Sequence, residues 1–195
     1  MNFKYFHGPL EDMCRLIKEK TACSLCHKES FCFELDDAIM EGYSEEEKEN
    51  MVGCYDCLKK GRFEFSHQTE FGDLDEDGLT ANHHYFNGTP PKIAETFLTE
   101  LRRTPVYLTW QSEDWMTHCH DFMIYKGIWE PKDFYLHSKD GDGRALFMEM
   151  TDEIWRHLWD ESLEAEETAL NEWHATYYAF ECVHCGKLRG NWDCT

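Results

Sequence analysis

The pattern of hydrophobic and polar residues predicts short β-strands near both ends of the chain. Phe31 and Phe33 alternate with polar residues, which is typical of a strand with one buried face. Aromatic residues occupy most of positions 177–180, and Trp192 follows after a glycine-containing turn, so a β-hairpin is predicted there. Apolar residues at positions 123–125 predict a further strand in the middle of the chain.

Two other segments have apolar residues at helical spacing. Pro90 and Pro91 precede residues 92–103, and Pro105 follows them, so a helix is predicted over this range. A longer amphipathic segment begins at residue 151, and its apolar side chains are predicted to pack on the core as one helical face. These side chains are Ile154, Trp155, Leu158, Trp159, Leu163, Leu170 and Trp173.

Four cysteines in the first third of the chain form two Cys-x-x-Cys pairs. Cys23 and Cys26 precede the alternating run, and Cys54 and Cys57 precede a segment that can begin a short helix. One thiolate pair at a knuckle and a second at a helix start is the layout of a treble-clef-like zinc site. The sequence therefore predicts a structural Zn²⁺ bound by these four residues. The alternative, reduced cysteines in the core, does not explain the paired spacing.

A third pair, Cys182 and Cys185, lies in the predicted terminal hairpin without a second pair nearby. Cys119 is expected to join it across about sixty residues of sequence, which predicts a second zinc site that ties the hairpin to the central strand. The fourth ligand of this site has three candidates: His118, His120 and Cys194. The alternative is a group of buried thiols that bind no metal.

Together these elements predict an α+β fold. We expect a zinc-stapled, treble-clef-like N-terminal lobe over residues 1–70. It should pack on a mixed α/β lobe over residues 71–195, which the C-terminal zinc-knuckle hairpin closes. A chain of 195 residues is long enough to bury a substantial core, and the two lobes are expected to form one compact unit.

Composition indicates a folded protein of a reducing compartment. Hydrophobic residues make up 42% of the chain and aromatic residues 15%, which is too many for a disordered acidic protein. The first residues, MNFKYFHGPLEDM, contain no apolar signal-peptide core, and no run is long enough to cross a bilayer. We therefore expect a cytoplasmic protein, in which ten cysteines indicate metal ligands or free thiols rather than disulfides.

The net charge narrows the choice of partners. Nineteen Lys and Arg face thirty-nine Asp and Glu, which gives a net charge of −20. Such a surface repels nucleic-acid phosphates and anionic lipids, so direct nucleic-acid or membrane binding is excluded and a basic protein partner is favoured. The candidate contact surfaces are the run Glu45, Glu46, Glu47 and Glu49 and the cluster at 73–77. The alternative is that the acidity only keeps the protein soluble.

A calcium site is a candidate that the sequence disfavours. Residues 138–149 place oxygen ligands at several positions of a calcium-binding loop. Ser138 occupies the first position, where Asp is required, and Pro131 lies where an incoming helix is expected. A solvated turn is predicted instead.

A zinc-dependent hydrolase is the enzymatic alternative. Cys119, Cys182 and Cys185 could hold a catalytic zinc with a water in the fourth position, and Asp121 could act as general acid or base. Neighbouring residues of a strand point to opposite faces, so His118 is not expected to activate Cys119 as a nucleophile. The motifs of zinc deaminases and of phosphate-binding loops are also absent, so a non-catalytic protein is predicted.

Several segments resemble the CbrC family of small bacterial proteins. In family order they are FKYFHGPLE, the pair CSLCHK and CYDCLKKG, LRRTPVYLTWQSEDWMTHCHDFMIYKG and FECVHCGKLRGNWDC. The family is named for a member linked to tolerance of a nuclease colicin. The family has no established enzymatic activity that the resemblance could carry over to this chain. The resemblance implies that seven cysteines occupy the family's cysteine motifs: Cys23, Cys26, Cys54, Cys57, Cys119, Cys182 and Cys185.

The acidity and the resemblance together give a functional hypothesis. We expect a cytoplasmic, zinc-binding immunity or tolerance protein that binds a basic, nuclease-type bacterial toxin. The alternative within this hypothesis is a stress-response protein whose effect on tolerance is indirect.

Overall fold

The computed structural model describes residues 1–81, 90–111, 113–159 and 175–194. Within these residues the fold is α+β, as expected, with small antiparallel sheets and short helices. The strands are β1 (Thr21–Ala22), β2 (Glu29–Ser30), β3 (Cys32–Glu34), β4 (Val52–Cys54), β5 (His67–Thr69), β6 (Gly72–Asp75), β7 (Gly78–Ala81), β8 (Thr117–His118), β9 (Asp121–Phe122), β10 (Ile124–Trp129), β11 (Ala175–Glu181) and β12 (Leu188–Cys194). The helices are α1 (Glu45–Lys48), α2 (Tyr55–Lys59), α3 (Glu95–Arg102), α4 (Pro131–His137) and α5 (Gly143–Met150), with 3₁₀ turns at Leu10–Asp12 and Glu153–Trp155.

Within the sheets each strand pairs with the strand before or after it in chain order, and each sheet has two or three strands. The two-stranded sheets are β1–β2, β3–β4 and β8–β9, while β5–β6–β7 and β10–β11–β12 form three-stranded sheets. An isolated two-stranded hairpin is at best marginally stable in water. These elements are therefore stable only through the contacts that connect them to one another.

The main connection is a cluster of buried aromatic side chains. Tyr107 stacks on Tyr125 with ring centroids 4.6 Å apart and an angle of 13° between the ring planes. The Tyr107 ring also contacts Trp115, Tyr178 and Phe180 at 5.1–5.6 Å. Because Tyr125 and Phe180 come from adjacent strands β10 and β11, the cluster joins the segment before β8 to the C-terminal sheet.

The same hydrophobic cluster extends into the N-terminal part of the chain. It includes Phe33 of β3 and Cys54 of β4 together with Phe122 of β9 and Phe180 of β11. The parallel bridge between Phe6 and Tyr125 adds a backbone connection from the first residues to β10. The main core thus contains residues from both sides of position 70, the predicted boundary between the two lobes. The boundary itself stays a prediction.

A second hydrophobic cluster covers the other face of the C-terminal sheet. Successive side chains of a strand point to opposite faces, so Tyr178 and Phe180 enter the main cluster while Tyr177 and Ala179 enter the second. Phe134 of α4 packs on this second face, together with side chains of α5 and of the residues that follow α5. All of positions 177–180 are buried because both faces of β11 are covered.

The predicted helix over residues 92–103 and the predicted strand at residues 123–125 are both present. The helix is α3 (Glu95–Arg102), which begins three residues later than predicted because Ile93 is buried in the core ahead of the helix. The strand is β10, which continues to Trp129.

The amphipathic segment that begins at residue 151 differs from its prediction. A 3₁₀ turn at Glu153–Trp155 replaces the first part of the predicted α-helix, and it leaves Ile154 70% exposed and Trp155 39% exposed. The prediction that these two side chains pack on the core is wrong, because the 3₁₀ turn changes the direction in which they point. Leu158 and Trp159 are buried as predicted. The remaining apolar positions of the segment, Leu163, Leu170 and Trp173, lie outside the described residues.

The calcium-loop segment is a turn between two helices. Pro131 is the first residue of α4, a position that proline favours, so the sequence argument that it prevents an incoming helix is wrong. The carboxylates of the turn are used locally: Asp142 accepts from the Ala145 amide at the start of α5, and Asp140 accepts from the Asp142 amide. Among the described residues, these carboxylates do not form a group that could hold a metal ion.

Among residues 1–81, 90–111, 113–159 and 175–194, none of the helices combines the length and the apolarity that a bilayer crossing requires.

The central position of Tyr107 gives a stability prediction. We expect Tyr107→Ala to lower the free energy of unfolding by about 3–5 kcal/mol, because it removes a fully buried aromatic ring and leaves a cavity. Tyr107→Phe should cost only about 1 kcal/mol, through loss of the hydrogen bond that the Asp114 amide donates to the Tyr107 hydroxyl. Urea denaturation measures both, with Tyr43→Ala at an exposed tyrosine as the control. Equal effects of Tyr107→Ala and Tyr43→Ala would contradict the proposed packing.

Candidate metal centres

The first candidate metal centre begins with a turn between two short strands. Cys23 and Cys26 lie between β1 and β2, where the Cys23 amide donates to the Lys28 carbonyl oxygen at 3.0 Å. The His27 amide donates to the Cys23 carbonyl oxygen at 2.8 Å, and His27 has a φ of 61°. This left-handed residue completes the reversal that brings the two thiols close to each other.

The other two thiols of this centre come from the junction of a strand and a helix. Cys54 ends β4 and is the N-cap of α2, and Cys57 lies in the first turn of that helix. The Ser24 amide donates to the Val52 carbonyl oxygen at 2.8 Å, and the Val52 amide donates to the Ser24 hydroxyl at 3.0 Å. These two bonds attach the first turn to β4 and so bring the two cysteine pairs together.

The four sulfur atoms have the spacing of a tetrahedral metal site. All lie within 4.8 Å of one another, with 3.8 Å between the Sγ atoms of Cys23 and Cys57 and 3.6 Å between those of Cys26 and Cys54. A tetrahedron with Zn–S bonds of about 2.3 Å has S···S edges of about 3.8 Å. The group can therefore hold a metal ion of this size.

The electrostatics of this centre favour a cation. Burial raises the pKa of the Cys57 thiol well above its usual range, and the hydrogen-bonded thiols of Cys54, Cys26 and Cys23 raise it further. At Cys23 burial also raises the pKa, but amide groups of Cys54, Leu25 and Cys26 outweigh it, and the pKa falls to about 7. One thiolate is thus stabilised by the backbone, whereas ionisation of Cys57 needs a positive charge nearby.

The second candidate centre begins at the turn of the β8–β9 hairpin. Cys119 and His120 form the turn, with φ values of 52° and 61°. Both turn residues of a two-residue hairpin turn of this type have positive φ, which normally selects glycine or asparagine. A cysteine and a histidine at such positions indicate that a constraint other than turn preference acts on this sequence.

The turn also brings His118 and Cys119 to the same side. His118 Nδ1 lies 3.2 Å from Cys119 Sγ, so the prediction that these neighbours point to opposite faces is wrong. Alternation applies to successive residues of a strand, and Cys119 lies one residue beyond the end of β8, in the left-handed region.

The other half of the second centre is the turn between β11 and β12, which repeats the hydrogen bonds of the first. The Cys182 amide donates to the Lys187 carbonyl oxygen at 2.8 Å, and the Gly186 amide donates to the Cys182 carbonyl oxygen at 3.0 Å. Gly186 has a φ of 71° and takes the place of His27 in the first turn. Cys185 and Cys182 thus occupy equivalent positions to the first cysteine pair.

Four ligand atoms meet at the second centre. His118 Nδ1 and the Sγ atoms of Cys119, Cys182 and Cys185 all lie within 4.8 Å of one another. Cys185 Sγ is 3.4 Å from His118 Nδ1 and 4.0 Å from Cys119 Sγ. Tetrahedral zinc with about 2.3 Å Zn–S and 2.0–2.1 Å Zn–N bonds gives N···S edges of about 3.6 Å, so this group also fits a metal ion.

The geometry distinguishes among the three candidates for the fourth ligand. His118 belongs to the group, whereas the exposed His120 does not. Cys194 pairs with Ala175, at the end of the hairpin opposite to the Glu181–Leu188 pair beside the cysteine turn. At about 3.3 Å per residue this places its backbone roughly 20 Å from the turn. Of the three, His118 alone is positioned to complete the set.

The thiols of the second centre differ in acidity. Burial raises the pKa of Cys182, but amide groups of Cys185 and His184 and the His118 side chain outweigh it, and the pKa falls to about 6. Desolvation and the neighbouring thiols of Cys182 and Cys185 raise the pKa of Cys119 to about 11. As at the first centre, one stabilised thiolate stands beside a thiol, that of Cys119, whose ionisation a cation would favour.

A buried carboxylate contacts the cysteine turn of the second centre. Asp121 is 1% exposed and accepts from the Tyr5 hydroxyl at 2.5 Å and from Lys4 Nζ at 3.0 Å. His184 Nε2, from the turn that carries Cys182 and Cys185, lies 3.0 Å from the same carboxylate. From sequence, Asp121 was a candidate general acid or base only, and this hydrogen-bond network was not predicted. The signal in the sequence was the position of His184 between two cysteines.

The two groups bring together the seven predicted cysteines and His118, one of the three candidates for the fourth ligand of the second centre. Both groups are built in the same way, from a Cys-x-x-Cys turn between strands and a second segment distant in sequence. Within the described part of the chain, these two are the sets of ligand side chains that could hold a metal ion.

Comparisons with known proteins place this architecture in a family. A curated protein of Pseudomonas aeruginosa, named UPF0167 protein PA1536, is 28% identical to this chain over 105 residues. The match covers 53% of this chain and 55% of that protein, so the chain spans about half the length of the relative. No solved structure matches the chain.

A family comparison covers nearly the whole chain. Residues 1–194 match the family described as uncharacterised protein family UPF0167, and this range includes both candidate metal centres and all the described strands and helices. The chain therefore belongs to the uncharacterised protein family UPF0167.

Proposed function

We propose that this chain is a non-catalytic, zinc-stabilised binding protein of the cytoplasm whose partner is a basic protein. The observation that carries the proposal is the ligand count, because each candidate centre supplies four protein ligands to one point. Four protein ligands fill the tetrahedral shell of zinc, whereas a catalytic zinc keeps one position for water or substrate. The arrangement thus supports structural roles for both centres.

Zinc is the metal that best fits the ligand chemistry. Four thiolates, or three thiolates with one imidazole, form the sets found at structural zinc sites, whereas calcium and magnesium require oxygen ligands. Along the chain, the first centre consists of a cysteine turn between β1 and β2, then the paired strands β3 and β4, then a cysteine pair at the start of α2. This succession of elements supports the treble-clef-like N-terminal lobe. The hydrolase alternative needs an open position at Cys119, Cys182 and Cys185, and His118 occupies the place of that position.

The charge distribution supports the basic partner. An acidic segment over residues 36–49 contains seven exposed carboxylates and a single basic residue, Lys48. The Lys48 side chain is buried, where it donates to the Ala38 carbonyl oxygen and pairs with Glu45, so it contributes little positive surface. A capping box between Ser44 and Glu47 fixes the start of α1 and holds the carboxylates in place.

The family resemblance adds the class of partner. The chain resembles the CbrC family, which is named for a member linked to tolerance of a nuclease colicin. A nuclease that binds nucleic acid carries a basic face, and a protein of net charge −20 would meet that face rapidly and compete with nucleic acid for it. A bacterial nuclease toxin is therefore the proposed partner. If no complex forms, the alternative is an indirect effect on tolerance.

The first test concerns zinc content. We expect freshly purified, reduced protein to contain two zinc ions per chain by elemental analysis, and Cys57→Ser to contain one. Loss of the first zinc should also remove amide-exchange protection from residues 21–59, because the short strands there depend on the metal. Cys14→Ser, at a cysteine outside both centres, should retain two zinc ions. Metal-free wild-type protein would refute the proposal.

The second test concerns the fourth ligand of the second centre. His118→Ala should weaken zinc binding there by at least about tenfold, because three protein ligands remain and water must fill the shell. His120→Asn is the matched control, since asparagine tolerates the positive φ at this position. Competition with a chelator measures both affinities. If the two variants release zinc equally readily, His118 is not a ligand.

The third test concerns the partner. Binding to basic nuclease toxins encoded near this gene should be tight at low salt and weaken steadily as salt increases. Replacing Glu45, Glu46 and Glu49 by glutamine should slow association about tenfold at low salt. The control replaces the exposed Glu11, Glu19 and Glu29, which changes the net charge equally but lies outside the acidic segment. Absence of binding at every salt concentration would leave the charge with a solubilising role only.

A further inference from the structure

A polar cleft lies between the β5–β6 turn and the C-terminal hairpin, away from both metal centres. Its volume is about 460 Å³, and an adjoining pocket of about 550 Å³ shares several of its walls. The shared lining consists of two carboxylates, two amides and two indole rings: Glu70, Asp114, Gln111, Asn191, Trp155 and Trp192. None of these side chains belongs to the ligand groups of the two candidate metal centres.

Two residues that line the cleft carry buried acceptor atoms without a donor among the described residues. Asp193 is 4% exposed; its Oδ2 accepts from the Trp110 amide at 2.7 Å and from the Tyr178 hydroxyl at 2.9 Å, while its Oδ1 has no hydrogen-bond partner within the described part of the chain. Asn191 Oδ1 has none there either, while its Nδ2 donates to the Asp114 carbonyl oxygen. A buried acceptor without a donor costs about 1–3 kcal/mol, so two beside one cleft favour a donor that enters from it.

The positive charge that lines the cleft is already neutralised. Arg189 forms two hydrogen bonds of 3.0 Å with the two carboxylate oxygens of Glu70 and a third bond with the Thr117 carbonyl oxygen. Asp114 and Asp193 therefore leave the cleft with an excess of negative charge. Burial, with a contribution from Glu70, raises the pKa of Asp114 to about 6; the Asn191 side chain and Arg189 act in the opposite direction but do not outweigh burial.

Two aromatic rings complete the cleft. Trp155 and Trp192 pack edge to face with ring centroids 4.7 Å apart, and Trp155 is 39% exposed despite its size. Indole faces attract cations more strongly than other aromatic rings do. Exposed indole beside carboxylates is thus suited to a group that is positively charged and partly apolar.

From these observations we infer that the cleft binds a guanidinium or alkylammonium group. Such a group supplies several N–H donors, a positive charge for the carboxylates and a surface for the indoles. A metal ion fits less well, because among the described residues the acidic side chains of this cleft do not converge to ligand spacing. The cation could belong to an arginine or lysine side chain of the basic partner, an identification that rests on the proposed function, or to a free amine.

The test uses small cations and so does not require the partner. At pH 8, where Asp114 is ionised, ethylguanidinium should bind, measured by calorimetry and by the shifts of the indole N–H signals of Trp155 and Trp192. Ethylurea has a similar shape and no charge, and it should not bind. Asp114→Asn should weaken ethylguanidinium binding at least about tenfold, since a hydrogen bond to a charged group is lost.

The matched control is Asp77→Asn, which removes the same charge at an exposed position of the β6–β7 turn outside the cleft. It should change the affinity less than about twofold. Failure of ethylguanidinium to bind, or equal weakening by the two variants, would overturn the inference.

A capped Gly-Arg-Gly peptide distinguishes the two sources of the cation. If the peptide binds as tightly as ethylguanidinium, the cleft accepts a protein side chain; if only the free cation binds, the cleft is a site for small amines. The outcome is separable from the proposed function. A toxin bound without any cation binding would overturn the cleft alone, whereas cation binding without a basic protein partner would overturn the proposed function alone.

Discussion

The shortness of the strands is the constraint on which the rest of this structure depends. Several sheets have two strands of two or three residues, and such hairpins are not stable by themselves. Order must therefore come from connections between elements that are distant in sequence. The structure has two kinds of connection, a shared aromatic core and two groups of four metal-ligand side chains.

The two kinds of connection act on different parts of the chain. The aromatic cluster around Tyr107 and Tyr125 joins the central segment to the C-terminal sheet through non-directional burial. The ligand groups sit at the ends of hairpins, where Cys23 and Cys182 are buried at the edge of that core. A metal at each would fix the turns to which the core does not reach. This division explains why both centres combine one compact turn with one distant segment.

Negative charge has a local organisation in addition to its total. The acidic segment over residues 36–49 presents exposed carboxylates, which act at long range and set encounter rates. The cleft near Asp114 and Asp193 instead combines buried carboxylates with indole rings, which recognise a group at contact distance. A basic protein could use the first surface for encounter and the second for specific contact. Salt screens exposed charges more than buried ones. Binding at the acidic segment should therefore be more sensitive to salt than binding in the cleft.

Much of the site was predictable from sequence because Cys-x-x-Cys spacing is a local property. The pairs at Cys23 and Cys54 specify turns that bring two thiols together whatever the rest of the chain does. Alternating residues likewise predicted the α+β class, the strand after residue 123 and the terminal hairpin. The predicted helical face at Ile154 and Trp155 was wrong, because local periodicity does not distinguish an α-helix from a 3₁₀ turn at the end of α5.

Tertiary structure decided the rest. The sequence left His118, His120 and Cys194 equivalent as a fourth ligand, since spacing cannot show which way a turn residue points. The positive φ values at Cys119 and His120 and the register of β11 with β12 decided among them. The cation cleft was also invisible in the sequence, because Glu70, Asp114 and Asp193 come from three segments that only the packed hairpins bring together. Local patterns thus determined which residues could bind, and long-range packing determined which of them meet.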